Sequence, residues 1–142
     1  MFFLYNLIFD LFYDIIHLTL KGGIMNNLEQ ETIKKMIDIY TPNGFDWMGS
    51  PITKKNPLTY HHIVKRKDSE TTVENGALLT KSSHRKLNML ESRNKDLFDE
   101  WQWLFYAINY SETHPSFAYT EMMNELMEQT NEELYGPKLV LK

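Results

Sequence analysis

Three of the chain's five histidines fall within residues 58–90, LTYHHIVKRKDSETTVENGALLTKSSHRKLNML. Imidazole is the side chain that both ligates metal ions and exchanges a proton near neutral pH, so His61, His62 and His84 are the first candidates for chemistry. An adjacent His pair taken alone is an ordinary strand-edge coincidence. What gives this one weight is the order in which Asn75 and His84 follow it. On a regular strand neighbouring side chains point to opposite faces. His61 and His62 can therefore serve one reacting group only where the strand ends and that group lies across its edge.

The elements that must position these residues are legible nearby. Leu58, Tyr60, Ile63 and Val64 have strand propensity and lie between Asn56-Pro57 and a polar loop. A second strand opens at Asn75, in Asn75-Gly76-Ala77-Leu78-Leu79. Thr80 or Ser82 can cap the helix that follows, with Leu87 and Leu90 toward the core and Lys81 and Arg85 sharing another side. His84 falls in its first turn, where unpaired backbone NH groups and the helix dipole attract phosphate oxygens. The ββ-helix order, with HHI, ENGALL and SHRKL in sequence, resembles the HNH endonucleases, also called ββα-metal nucleases. The resemblance covers about a quarter of the 142 residues.

That resemblance implies an α+β fold, with a small ββα-metal core and flanking α-helices. It implies that His61 and His84 bind one divalent metal ion and that His62 is the general base. The division is physically sound, because a ligating imidazole nitrogen has no lone pair left to accept a proton, whereas a neutral His with a pKa near 6.5 has one. Asn75 resembles the family's middle Asn, which ties the loop to the strand and holds the base in place; an Asn opening a strand is also an ordinary turn residue. Asn88, one turn beyond His84, stands where many relatives have another His. An amide oxygen is a weaker ligand for zinc-like ions and favours harder ones, so the expected site is His61, His84, Asn88 and water around Mg, Mn or Zn. Two further departures are a loop without the usual Gly-Gly and a segment, residues 44–55, without the Cys pair of a structural zinc. Trp47, Met48 and Ile52 are expected to fill that space, in a short strand or hairpin. The implied reaction is hydrolysis of DNA, leaving 5′ phosphate and 3′ hydroxyl ends.

Charge supports a phosphate-facing centre. The net charge is −4, yet ten of the fifteen Lys and Arg lie within residues 51–95, and the flanks are acidic. Lys65, Arg66 and Lys67 in the loop, with Lys81 and Arg85 on the helix, are the candidates for backbone contacts to nucleic acid. A solvated charged face is the plainer alternative. Cysteine is absent, so there is neither a disulfide framework nor a Cys-based zinc knuckle. A chain of this length makes one domain, with 42% hydrophobic residues for its core.

Residues 1–20 are apolar but carry Asp10 and Asp14. They lack the basic start and small-residue end of a secretory signal, and are short for a membrane span. Lys21-Gly22-Gly23-Ile24-Met25 can be encoded with a bacterial ribosome-binding sequence ahead of a start codon. Residues 1–24 are therefore read as an extension upstream of a true start at Met25, and residues 25–142 as one nuclease domain with its core at about 44–92. Asn27 is expected to cap a helix with Ile33, Met36, Ile37 and Tyr40 on its inner face, ended by Thr41-Pro42-Asn43-Gly44. Leu97, Phe98, Trp101, Leu104, Phe105 and Ile108 mark a core-facing helix. Residues 111–115, including His114 as a turn residue, break the chain. Tyr119, Met122, Met123, Leu126 and Met127 mark a last helix, ended by Gly136-Pro137, whose Met-rich face suits packing on its predecessor or a dimer contact.

Three function classes follow: a phage or mobile-element nuclease, a nucleic-acid-binding module that kept the fold and lost turnover, and a small membrane-tethered protein. The first places the protein in the cytoplasm of a bacterial host, with DNA as partner and no stable membrane association. A homodimer, or phage packaging or recombination proteins, would be further partners.

Overall fold

A computed structural model of the chain describes residues 26–65, 70–111 and 117–136. The proposed extension 1–24, Arg66, Lys67 and His114 lie outside the described residues. The described residues form four helices and one antiparallel hairpin: α1 (Asn27–Tyr40), β1 (Leu58–His62), β2 (Gly76–Thr80), α2 (Lys81–Arg93), α3 (Lys95–Ser111) and α4 (Phe117–Tyr135). The described residues are thus a mixture of helices with a small two-stranded antiparallel sheet, compatible with the α+β class that the resemblance implies.

Every residue of β2 is buried, whereas β1 is partly open at Thr59 and His62. The register pairs Thr59 with Leu79, His61 with Ala77 and His62 with Gly76. β1 stops at His62 and Ile63-Val64 form a bend beyond it, so the strand is two residues shorter than its β-branched run suggests. Asn75 lies in the turn before β2 rather than inside the strand. The hairpin packs against α1, α2 and α3. Trp47, Met48 and Ile52 are buried in the same core as Ile33, Met36, Tyr40, Leu87, Leu90, Trp101 and Phe105.

Caps explain where the helices begin and end. Asn26, not Asn27, caps α1, its side chain accepting from Glu29 N at 2.8 Å; the Asn-Asn pair offers either residue, and the capping bond selects the first. The segment at 44–55 forms a single bridge, Phe45 to Pro51, in place of a strand or hairpin. It is held instead by Asp46, whose buried carboxylate accepts from Met48 N, Ser50 N, Thr80 N and the Thr80 hydroxyl at 2.7–2.9 Å. Thr80 in turn caps α2 through Ser83 N. Gly136, with φ +84°, closes α4 by donating its NH to Glu132 O, in the left-handed conformation that glycine adopts freely. The methionine-rich face of α4 is divided: Met123 and Leu126 are buried, while Met122 is exposed.

Candidate active site

β1 alternates as a strand must, and the alternation sorts the histidine pair. Thr59 and His61 face the helices α2 and α3, and Tyr60 and His62 face the loop that joins the strands. On the first face, the rings of His61 and His84 meet edge to face, with centroids 5.3 Å apart. His61 also abuts Phe105, at 5.7 Å. On the second face, the His62 ring stands 4.6 Å from Tyr60, and its Nε2 is 3.0 Å from Thr71 Oγ1. The structure therefore brings His61 and His84 into contact and leaves His62 at the strand end on the opposite side, within electrostatic reach of both.

Both rings of the pair are anchored. His61 Nε2 lies 2.6 Å from Gln102 Oε1, and the same amide's Nε2 donates to Ile63 O just past the strand end. His84 Nδ1 lies 2.9 Å from Thr59 Oγ1. Burial pushes the His61 imidazole down to about 4, with the neighbouring rings of His84 and His62 adding to the shift and the Gln102 bond opposing it. His84 is lowered too, by burial first and then by His62, against the carboxylate of Glu29. Both rings are consequently neutral at pH 7, the state in which an imidazole ligates a metal.

Two features of the pair are compatible with a shared metal ion, although the same separation is that of an ordinary edge-to-face ring contact. Two imidazoles sharing one ion, each with a nitrogen about 2.0–2.1 Å from it, have centroids about 5 Å apart, close to the separation observed. Each ring also commits one nitrogen to a protein partner and keeps the other. Among the described residues no group of three or more His, Cys, Asp or Glu side chains is placed to hold an ion. Asn88 is exposed one helical turn after His84.

Asn75 clamps the loop. Its Oδ1 accepts from Val64 N at 2.9 Å, and its Nδ2 donates to Val64 O at 3.1 Å and Glu70 O at 3.3 Å. The backbone of Asn75 also accepts from Ile63 N. The bend after His62 is thereby tied to the turn before β2. Of the basic candidates, Lys81 and Arg85 are exposed on α2, and Lys65 is largely exposed and pairs with Glu91 at 3.0 Å.

Four positioning side chains carry no motif and escape the sequence reading: Asp46, Thr59, Gln102 and Asn109. Asn109 on α3 donates to Val73 O and Gly76 O and accepts from the Tyr40 hydroxyl, fixing the second strand's entry. Asn109 and Gln102 are polar positions at the edge of an otherwise apolar stripe on α3, which is the signal that could have marked them. No membrane-spanning helix is found among the described residues: none is long and apolar enough to cross a bilayer. Compared with protein-family models, curated proteins and solved structures, the chain finds no match.

Proposed function

We propose that the protein is a metal-dependent endonuclease of the HNH type, hydrolysing DNA phosphodiester bonds at the end of β1. The observation that carries this reading is the edge-to-face contact of His61 and His84, one from a strand and one from the first turn of the following helix, with His62 at the strand end on the other face. In this reading His61 and His84 hold a single divalent cation, Mg, Mn or Zn. A bound divalent ion would offset negative charge on a nonbridging phosphate oxygen and on the departing 3′ oxygen as that charge develops. His62 takes the proton of the attacking water, Asn75 keeps the strand end and loop in register, and Lys81 and Arg85 lie along the nucleic-acid backbone.

The test is plasmid cleavage with added magnesium, manganese, nickel or zinc. His62→Ala loses cleavage and retains metal binding, while His61→Ala and His84→Ala lose both. A His62→Ala protein that cuts as fast as the parent overturns the assignment. A second reading, a binding module of the same fold without turnover, is favoured by the shortage of a third strong ligand among the described residues. It predicts retarded DNA on a gel with no cleavage under any of the four metals.

A further inference from the structure

We infer that Gln102 and Thr59 are positioning residues that set the tautomers of the paired imidazoles, so that the nitrogens offered to a metal are Nδ1 of His61 and Nε2 of His84. The inference rests on the reading of these two rings as metal ligands, and it follows from counting protons along two short chains of hydrogen bonds.

The first chain begins at Ile63 O, which can only accept. The Gln102 atom facing it must therefore be the amide nitrogen, which orients the whole amide and turns Oε1 toward His61. Oε1 can only accept as well, and it lies 2.6 Å from His61 Nε2, so that nitrogen carries the hydrogen. In the neutral ring the lone pair then belongs to Nδ1. The second chain begins at Leu79 O, another pure acceptor, 2.8 Å from Thr59 Oγ1. A hydroxyl has a single proton, and this contact consumes it. The 2.9 Å contact between Thr59 Oγ1 and His84 Nδ1 then needs a hydrogen on the ring, which leaves the lone pair on Nε2.

Neither chain passes through a charged group. An NH anchored to an amide or hydroxyl acceptor fixes both the orientation of a ligating ring and the nitrogen it presents. Gln102 does this for His61 with the same amide that grips the carbonyl after the His pair. One side chain of α3 thus holds a ligand ring on one face of β1 and the strand end that carries His62.

Long-range nitrogen–proton NMR on the 15N-labelled, metal-free protein tests the assignment directly. The expected spectra show His61 as the Nε2–H tautomer and His84 as the Nδ1–H tautomer; the opposite form at either ring overturns it. Adding zinc is expected to shift His61 Nδ1 and His84 Nε2, and zinc bound through His61 Nε2, or no binding at all, overturns it. Gln102→Leu should give mixed tautomers at His61 and weaken zinc binding by about ten- to a hundredfold. Gln102→Glu, which keeps an acceptor for His61 Nε2–H but loses the donor to Ile63 O, should keep the His61 Nε2–H tautomer while loosening the strand end, and Thr59→Val and Thr59→Ser form the matching pair at His84. Unchanged tautomer and affinity in Gln102→Leu also sinks the proposal. If that variant does not fold, the wild-type spectra decide alone. Zinc bound through the assigned nitrogens without plasmid cleavage would reject the nuclease and leave this inference standing.

Discussion

At the scale of single residues, the fold keeps the imidazole of His61 neutral by burying it. His61 is 7% exposed, and its pKa is pushed down to about 4 by burial. In the unfolded chain the same ring titrates near 6.5. Between these values the unfolded chain binds the extra proton and the folded one does not, so stability is complete above pH 6.5 and falls as the pH drops toward 4. The difference amounts to about 3 kcal/mol for this ring. Urea unfolding of the EDTA-treated protein should therefore show a midpoint that declines between pH 6.5 and 4, and His61→Gln should remove most of that decline. A slope shared equally by the variant would place the acid sensitivity elsewhere. His61, His62, Asn75 and His84 were legible because their types and order are unusual within so short a stretch. Gln102 was not, since it lies 41 positions from the ring it anchors and glutamine on a helix marks nothing by itself.

At the scale of elements, the hairpin and α2 are fastened by polar side chains arriving from outside them. Asp46 binds both the loop of residues 46–50 and the Thr80 cap, and Asn56 grips Ser82, two residues on, accepting from Ser82 N and donating to Ser82 Oγ. The first turn of α2, with His84 in it, is thus held by two loops that precede the hairpin. Asp46→Asn replaces an acceptor oxygen with a donor against buried NH groups and should cost about 2–3 kcal/mol in urea unfolding. A loss below half a kilocalorie would mean that the carboxylate is not needed as an acceptor. Gly76 is a second constraint, of a steric kind. A Cβ there would stand 2.5 Å from Tyr60 Cε2 and 2.9 Å from Met36 Sδ, and the Tyr60 ring lies against His62. Gly76→Ala should destabilise by about 1–3 kcal/mol and displace the His62 ring resonances, because overpacked cores relax by moving side chains. Hydrophobic periodicity revealed the helices and strands themselves, since each buries one repeating face. The braces were hidden, because Asp46 sits in a turn-rich run where an aspartate is unremarkable and its partner Thr80 is 34 residues away.

At the scale of the whole molecule, the concentration of cations in residues 51–95 divides by what each one touches. Lys86 reaches Asn131 at 3.0 Å and lies 5.7 Å from the centre of the Tyr135 ring, joining α2 to α4. Lys95 bonds Asp99 at 3.0 Å and covers Phe98. These cations serve the fold, whereas Lys81 and Arg85 extend into solvent on the helix that carries His84. A stretch that reads as uniformly basic in sequence therefore has structural and outward-facing members, a distinction that only the packing of α2 against α4 reveals. Binding to phosphate releases counterions in proportion to the contacts made, so the salt dependence of affinity counts them. In a fluorescence-anisotropy titration with DNA, removing both Lys81 and Arg85 by alanine should lower the slope of log affinity against log salt by about 2. The Lys86→Ala, Lys95→Ala pair should leave that slope unchanged and lower the melting temperature instead. Equal slope changes in the two double variants would mean that phosphate is drawn by net charge alone, with no contact surface beside His84.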